Sequence, residues 1–150
     1  MISAPSVATY MRSNAFVLAG YSEKTIDDTH YEVRANGTEG TPRARVEKIA
    51  MARAAEIGVE GKLRYFKVAG VRHGVQCGKK QEIYKGTPQK ALHYPTVVLD
   101  VQYAKGNAPP DASWQVAADS HAKLLAELKG EAVVAEDAVA ASEEIKAQCP

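Results

Sequence analysis

Residues 20–68 read GYSEKTIDDTHYEVRANGTEGTPRARVEKIAMARAAEIGVEGKLRYFKV, and this stretch decides the fold. Its centre is a helix. Thr41-Pro42 supplies a hydroxyl N-cap with proline at the first helical position. Val46, Ile49, Ala50, Ala54 and Ile57 then recur at helical spacing as one apolar stripe. The stripe is rich in alanine, which lets the helix lie close against a sheet. Arg43, Arg45, Glu47, Lys48, Arg53 and Glu56 fall mostly elsewhere on the wheel and are assigned to solvent. Gly58 or Gly61 ends the helix. Before it, residues 21–26 and 31–35 read as short strands joined by Asp27-Asp28-Thr29-His30, whose side chains suit a tight turn. After it, residues 63–71 read as a third strand, with Tyr65, Phe66 and Val68 as its bulky members.

Further along, residues 94–104 carry the clearest strand pattern. Val97, Leu99, Val101 and Tyr103 fall on one face, and Val98, Asp100, Gln102 and Ala104 on the other. That alternation fits a sheet with one face on a core and one in water. Between the third and fourth strands, residues 74–93 read as a long polar connection, punctuated by Gly74, Gly78, Gly86 and Pro88 and made basic by its lysines. Asn107-Ala108-Pro109-Pro110 breaks the chain. Asp111 or Ser113 then caps a second helix whose apolar side is Trp114, Ala117, His121, Leu124, Leu125 and Leu128, with Gly130 at its end. Residues 131–149, rich in alanine and glutamate, read as a last, weakly amphipathic helix through Val134, Val139, Ser142 and Ile145.

Bulk properties exclude some classes of function. The 150 residues suit one domain with a real core. Nineteen basic residues against eighteen acidic ones leave no basic excess for general nucleic-acid binding. No apolar run reaches the roughly 20 residues that cross a bilayer. The run Ala15-Phe16-Val17-Leu18-Ala19-Gly20 is shorter than the about 7–15 apolar residues of a signal peptide's core. Tyr21 also stands where a lipoprotein cleavage box would need cysteine. Residues 1–19 therefore read as mature chain, with residues 15–19 docking as a strand or helix end.

The motifs that could carry chemistry fail on spacing or partners. Gly74-Val75-Gln76-Cys77-Gly78-Lys79-Lys80 imitates a phosphate-binding loop. It has three residues between its glycines rather than four, and Lys80 replaces the hydroxyl that reaches magnesium. His73, Cys77 and His93 do not make up a zinc set, for the chain has only two cysteines and His30 and His121 lie at no ligand spacing. Nothing beside Cys77 marks it as an activated nucleophile. No G-x-S-x-G surrounds any serine. Asp27-Asp28 and Glu143-Glu144 read as solvated pairs, and Tyr21, Tyr31, Tyr65 and Tyr103 as sheet aromatics rather than base-stacking platforms.

Gly20-Tyr21-Ser22-Glu23, Tyr31-Glu32-Val33, Asn36-Gly37, Thr41-Pro42-Arg43 and Ala52-Arg53-Ala54-Ala55-Glu56, followed by Arg64-Tyr65-Phe66, together resemble a family of small uncharacterised bacterial envelope lipoproteins. In that family a GYSE opening leads through a YxV strand and a glycine turn to a T-x-R helix start and an RAAE-type helix end. The resemblance covers about a third of the chain, residues 20–68. It departs from the family pattern at Ala35-Asn36-Gly37-Thr38, where an aromatic and a second glycine are usual. It implies an envelope location, a signal and lipid-bearing cysteine upstream of Met1, and no assigned catalytic residue. In that setting Cys77 and Cys149 are either bridged or free thiols; their even number and an oxidising compartment favour the bridge.

The expected architecture is α+β: an antiparallel sheet of about four strands with two helices, 41–58 and 111–129, on one face and a C-terminal helical tail. Residues 1–19 form an N-terminal extension, 20–130 the domain and 131–150 the tail. The expected function is non-enzymatic: a structural or protein-interaction protein of the periplasm or cell envelope, working with protein partners or by self-association as a repeated subunit, with no cofactor, metal or catalytic residue. Lys79, Lys80, Tyr84, Lys85 and Lys90 are its candidate partner surface. The alternative is a binder of a lipid or small metabolite with a pocket under the 74–93 loop. An enzyme of unfamiliar type built on His73, Cys77 or His93 ranks last.

Overall fold

Strands β1 (Gly20–Asp27) and β2 (His30–Asn36) form the first hairpin. Its turn is set by Asp27, whose Oδ1 accepts the Thr29 N–H at 2.8 Å, so the side chain does what a backbone carbonyl would do in a tight turn. The computed structural model describes residues 7–14, 19–77, 81–82, 89–90, 93–131 and 135–149. After β2 come helix α1 (Arg43–Glu60) and strands β3 (Tyr65–Cys77), β4 (Gln81–Glu82), β5 (Gln89–Lys90), β6 (His93–Ala104) and β7 (Gln115–Val116). Helices α2 (Ala117–Gly130) and α3 (Ala135–Ala147) complete the chain.

The fold is α+β, with a five-stranded antiparallel sheet in the order β1-β2-β6-β3-β7 and a separate β4–β5 pair. The strand predicted at 94–104 is the centre of the sheet. Directly paired residues share a face, so Val33 opposite Leu99, Ala35 opposite Val97 and Phe66 opposite Tyr103 build one buried surface. The other face is polar: Arg34, Val98 and Arg72 form one row, Glu32, Asp100 and Gly70 the next. Val98 is buried within it, while Asp100 remains exposed as its place in the alternation requires.

Helix α1 lies on the buried face with Val46, Ile49, Ala50, Ala54 and Ile57 turned inward, as the stripe predicts. Its start differs from the expectation. Pro42 is the N-cap and makes no side-chain bond, whereas the buried Thr41 hydroxyl accepts the backbone N–H groups of Ala8 and Thr38, both at 2.9 Å. Thr41 thus anchors the N-terminal segment instead of capping the helix. Gly61 closes the other end.

Three further boundaries move. β3 runs to Cys77, six residues past its predicted end, because β6 pairs with it as far as Cys77 opposite His93. The long connection is therefore shorter at both ends than residues 74–93. Helix α2 begins at Ala117, not near Asp111: Asp111 and Ser113 bond to each other, and β7 intervenes. Trp114 consequently precedes the helix. α2 packs along α1, where Gly58 leaves room for Ala117; a Cβ there would lie 2.8 Å from both the Ala117 Cβ and the Leu63 carbonyl. In α3, Ile145 is buried and Ser142 half-buried as the predicted side requires, but Val139 faces solvent and Ala138 takes the inner place. At the N-terminus, Ala8 enters the core and Tyr10 stacks on Tyr21 at 4.9 Å.

Candidate functional site

The arginines of α1 are where sequence and structure part most sharply. Arg45 and Arg53, assigned to solvent, are 8% and 6% exposed. Arg53 is the hub of an ionic centre joining α1, β1 and the N-terminal segment. Its Nε and Nη2 donate to the two oxygens of Glu23 at 3.2 and 2.8 Å, a bidentate pair. Its Nη1 donates to Glu56 at 2.5 Å and reaches Glu60 at 3.4 Å. Arg12 donates to the same Glu23 carboxylate at 2.6 Å. Both guanidinium groups lie over the Tyr21 ring, 5.2 and 5.0 Å from its centroid, where the face of the ring carries negative potential.

Local structure explains why these groups meet. Gly20, at φ +128°, lets the chain enter β1 with Met11 alongside; a Cβ there would lie 2.3 Å from the Met11 carbonyl. The Tyr21 N–H donates to that carbonyl at 2.9 Å, which fixes Arg12 beside Tyr21. Glu23 then projects two residues along the same strand face. From α1, Arg53 points at the same strand, and Glu56, one turn on, meets its guanidinium. The Gly20–Glu23 and Arg53–Glu56 segments thus converge on one point.

Electrostatics follow from burial and pairing. Burial opposes ionisation of both Glu23 and Arg53, and their mutual hydrogen bonds outweigh it. Glu23 is held below its ordinary value with help from Arg12, and Arg53 is raised above its own with help from Glu56. Burial and the nearby Glu56 carboxylate push the Tyr10 hydroxyl well above its usual range. That hydroxyl is enclosed without a hydrogen-bond partner of normal geometry among the described residues. The His121 Nε2, enclosed as well, lies 3.3 Å from Glu56. The buried cation is shared among carboxylates, and burial keeps the tyrosines protonated. It holds α1, β1 and the N-terminal segment together.

Two smaller clusters extend the pattern along α1. Arg45 donates to the Ala8 carbonyl at 2.8 Å and to the Leu128 carbonyl and Glu131 at 3.3 Å, and Lys48 also meets Glu131. Burial lowers the pKa of Arg45. Arg43 donates to Gln148 at 2.8 Å, beyond the end of α3. The cations of α1 therefore fasten β1, the N-terminal segment, the end of α2 and the final turn of the chain to one helix.

Of the residues singled out by sequence, Cys77 and Cys149 form a disulfide, with Cα atoms 5.6 Å apart. Cys77 thus has no thiol for nucleophilic or metal chemistry. His73 pairs with Glu47 at 3.4 Å, and His93 lies 3.8 Å from Glu39. Lys79, Lys80, Tyr84 and Lys85 lie outside the described residues, and Lys90 is described only as part of β5. The pocket expected under the 74–93 loop rests on the same undescribed stretch. Among the described residues no group of histidine, cysteine and carboxylate is placed to hold a metal, and no helix is long and apolar enough to cross a membrane. No family model, curated protein or solved structure matches the chain.

Sequence reasoning missed the Arg53 centre. Arg45, Ile49, Arg53, Glu56 and Glu60 share one flank of the helix at three- and four-residue spacing, beside alanines too small to shield them. That spacing was the available signal.

Proposed function

We propose that the protein is a non-enzymatic component of the bacterial periplasm or cell envelope that works by contact, with protein partners or with copies of itself as a repeated subunit. The observation that carries this reading is the Cys77–Cys149 bond. It joins the far end of β3 to the residues following α3 across 72 positions, and such a bond belongs in a compartment that oxidises thiols. The Arg53 centre, whose carboxylates are taken up by a buried guanidinium that ties α1 to β1, supports the non-enzymatic half. The motifs resembling the envelope lipoproteins come together to build a clamp, so what they specify is a structure. The near-zero net charge fits a contact role rather than nucleic-acid binding.

Acid-trapping the protein from its own cells and labelling with a maleimide polymer tests the compartment. Both cysteines are expected to react only after reduction; labelling before reduction overturns the assignment. Light scattering after size exclusion, with chemical crosslinking in the same cells, tests the contact role. A mass above the monomer or a discrete crosslinked product is expected, and a strict monomer with no crosslinked product argues against it.

A further inference from the structure

At the C-terminal end of α1, far from the disulfide, an open groove of about 380 Å³ runs between the helix end, the start of β3 and the first turn of α2. We infer that this groove binds a single-chain amphiphile with an anionic head, of the fatty-acid carboxylate type, with the acyl chain along its wall and the head at Lys62 and Arg64.

The wall is apolar and already open to solvent. Val59 and Val116, 44% and 42% exposed, face it together with Leu63 and the Tyr65 ring, and Ala117 and Ala118 keep the α2 side shallow. Leaving such side chains in water costs free energy that an acyl chain would recover. The volume sits at the lower end of the roughly 300–1,000 Å³ typical of ligand sites. That suits one chain better than the two of a membrane phospholipid.

The charges at the rim have one sign. Lys62 and Arg64 line the groove, are exposed, and take part in no ion pair among the described residues. Arg43, Arg45, Lys48 and Arg53, all on α1, each meet a carboxylate. The two rim cations are therefore available for an anion from outside, and their guanidinium and ammonium groups suit a carboxylate.

Lys62 also has a backbone that a lysine adopts only at a cost. Its φ is +57°, and it is the one non-glycine residue with positive φ among those described. This position follows the Gly61 helix cap, where glycine is the residue free of strain. A lysine there holds a charge at the groove mouth at the expense of local stability, the kind of outlier that points to a ligand.

The test uses the full, disulfide-bonded chain and three probes sharing one alkyl chain: dodecanoate below its micellar concentration, dodecyltrimethylammonium and dodecyl maltoside. Dodecanoate is expected to bind one per chain, with amide shifts confined to the groove residues, and the cationic and neutral probes to bind far more weakly. Lys62→Gly and Arg64→Ala should each weaken dodecanoate binding by about tenfold, while Lys24→Ala on β1 leaves it unchanged. Lys62→Gly is decisive because it relieves the backbone: binding falls while the melting temperature holds or rises. A Lys62 that only balances the helix end predicts the reverse, a lower melting temperature with binding intact. Absence of saturable binding, equal binding of the three probes, or dodecanoate binding by Lys62→Gly as tight as the parent's overturns the inference. So does preference for an apolar peptide ending in a free carboxylate. None of these results would alter the thiol or mass measurements above, so the two readings fail separately.

Discussion

Arg53 enters the interior with its charge because Glu23, Glu56 and the Tyr21 ring are there to receive it. Replacing one partner of a buried pair leaves the other uncompensated, which typically costs about 3–5 kcal/mol. Glu23 and Glu56 both keep some access to water, so Arg53→Met is expected to lower unfolding free energy by roughly 2–4 kcal/mol in urea titrations. The pH dependence follows from the depressed pKa of Glu23. Its ordinary value is 4.5 and its folded value lies below that. The stabilisation it supplies is full above pH 4.5 and is lost as pH falls through the folded value, because protonation then costs the pair. Glu23→Gln should be less stable than the parent at neutral pH and should close the gap as the medium becomes acidic; a constant gap would refute the assignment. In the chain, only the shared flank of Arg45, Ile49, Arg53, Glu56 and Glu60 pointed to this centre. Wheel arithmetic sends charges to solvent, and the partner that keeps Arg53 inside lies 30 residues away on another element. The apolar stripe of Val46, Ile49 and Ile57 was legible because burial of aliphatic side chains needs only a periodic pattern.

Elements were readable where their own side chains set the pattern and unreadable where a neighbour did. β6 announces itself by alternation. β3 contains Gly74, which read as the start of a loop, and it stays extended because β6 supplies hydrogen bonds through Cys77. At α2 the signal was misassigned: Asp111 accepts the Ser113 N–H at 2.8 Å in a local turn, a competing use of the same capping chemistry. The α1–α2 contact depends on Gly58. Gly58→Ala places a methyl group against the Leu63 carbonyl and Ala117 and is expected to cost about 1–3 kcal/mol, read as a lowered melting temperature; an unchanged one would show that the helices can move apart freely. Tyr103 belongs to the same scale. Its hydroxyl donates to the Ala54 carbonyl at 2.6 Å, a polar bond from the central strand to the middle of α1 that burial protects.

For the whole molecule, the α+β plan with an antiparallel sheet was legible from residues 20–68 and 94–104, since strand pairing and one amphipathic helix leave few ways to bury a common face. The fastening of the termini was only partly so. An even cysteine number left the bridge open, and nothing in the pattern showed Ala8 entering the core. Closing a loop of 72 residues restricts the unfolded chain by roughly 4 kcal/mol on the chain-entropy argument. The double variant Cys77→Ser/Cys149→Ser should lose about that much stability while keeping α1 on the sheet, and adding reductant to the parent should reproduce the shift in calorimetry. No loss in either experiment would mean that the reduced chain is already held in place. The bridge has a mechanical consequence as well. A pull applied at Cys149 is relayed through sulfur to Cys77, so tension bypasses α3 and arrives at the end of the β3–β6 hairpin, where strand separation rather than helix peeling becomes the first event.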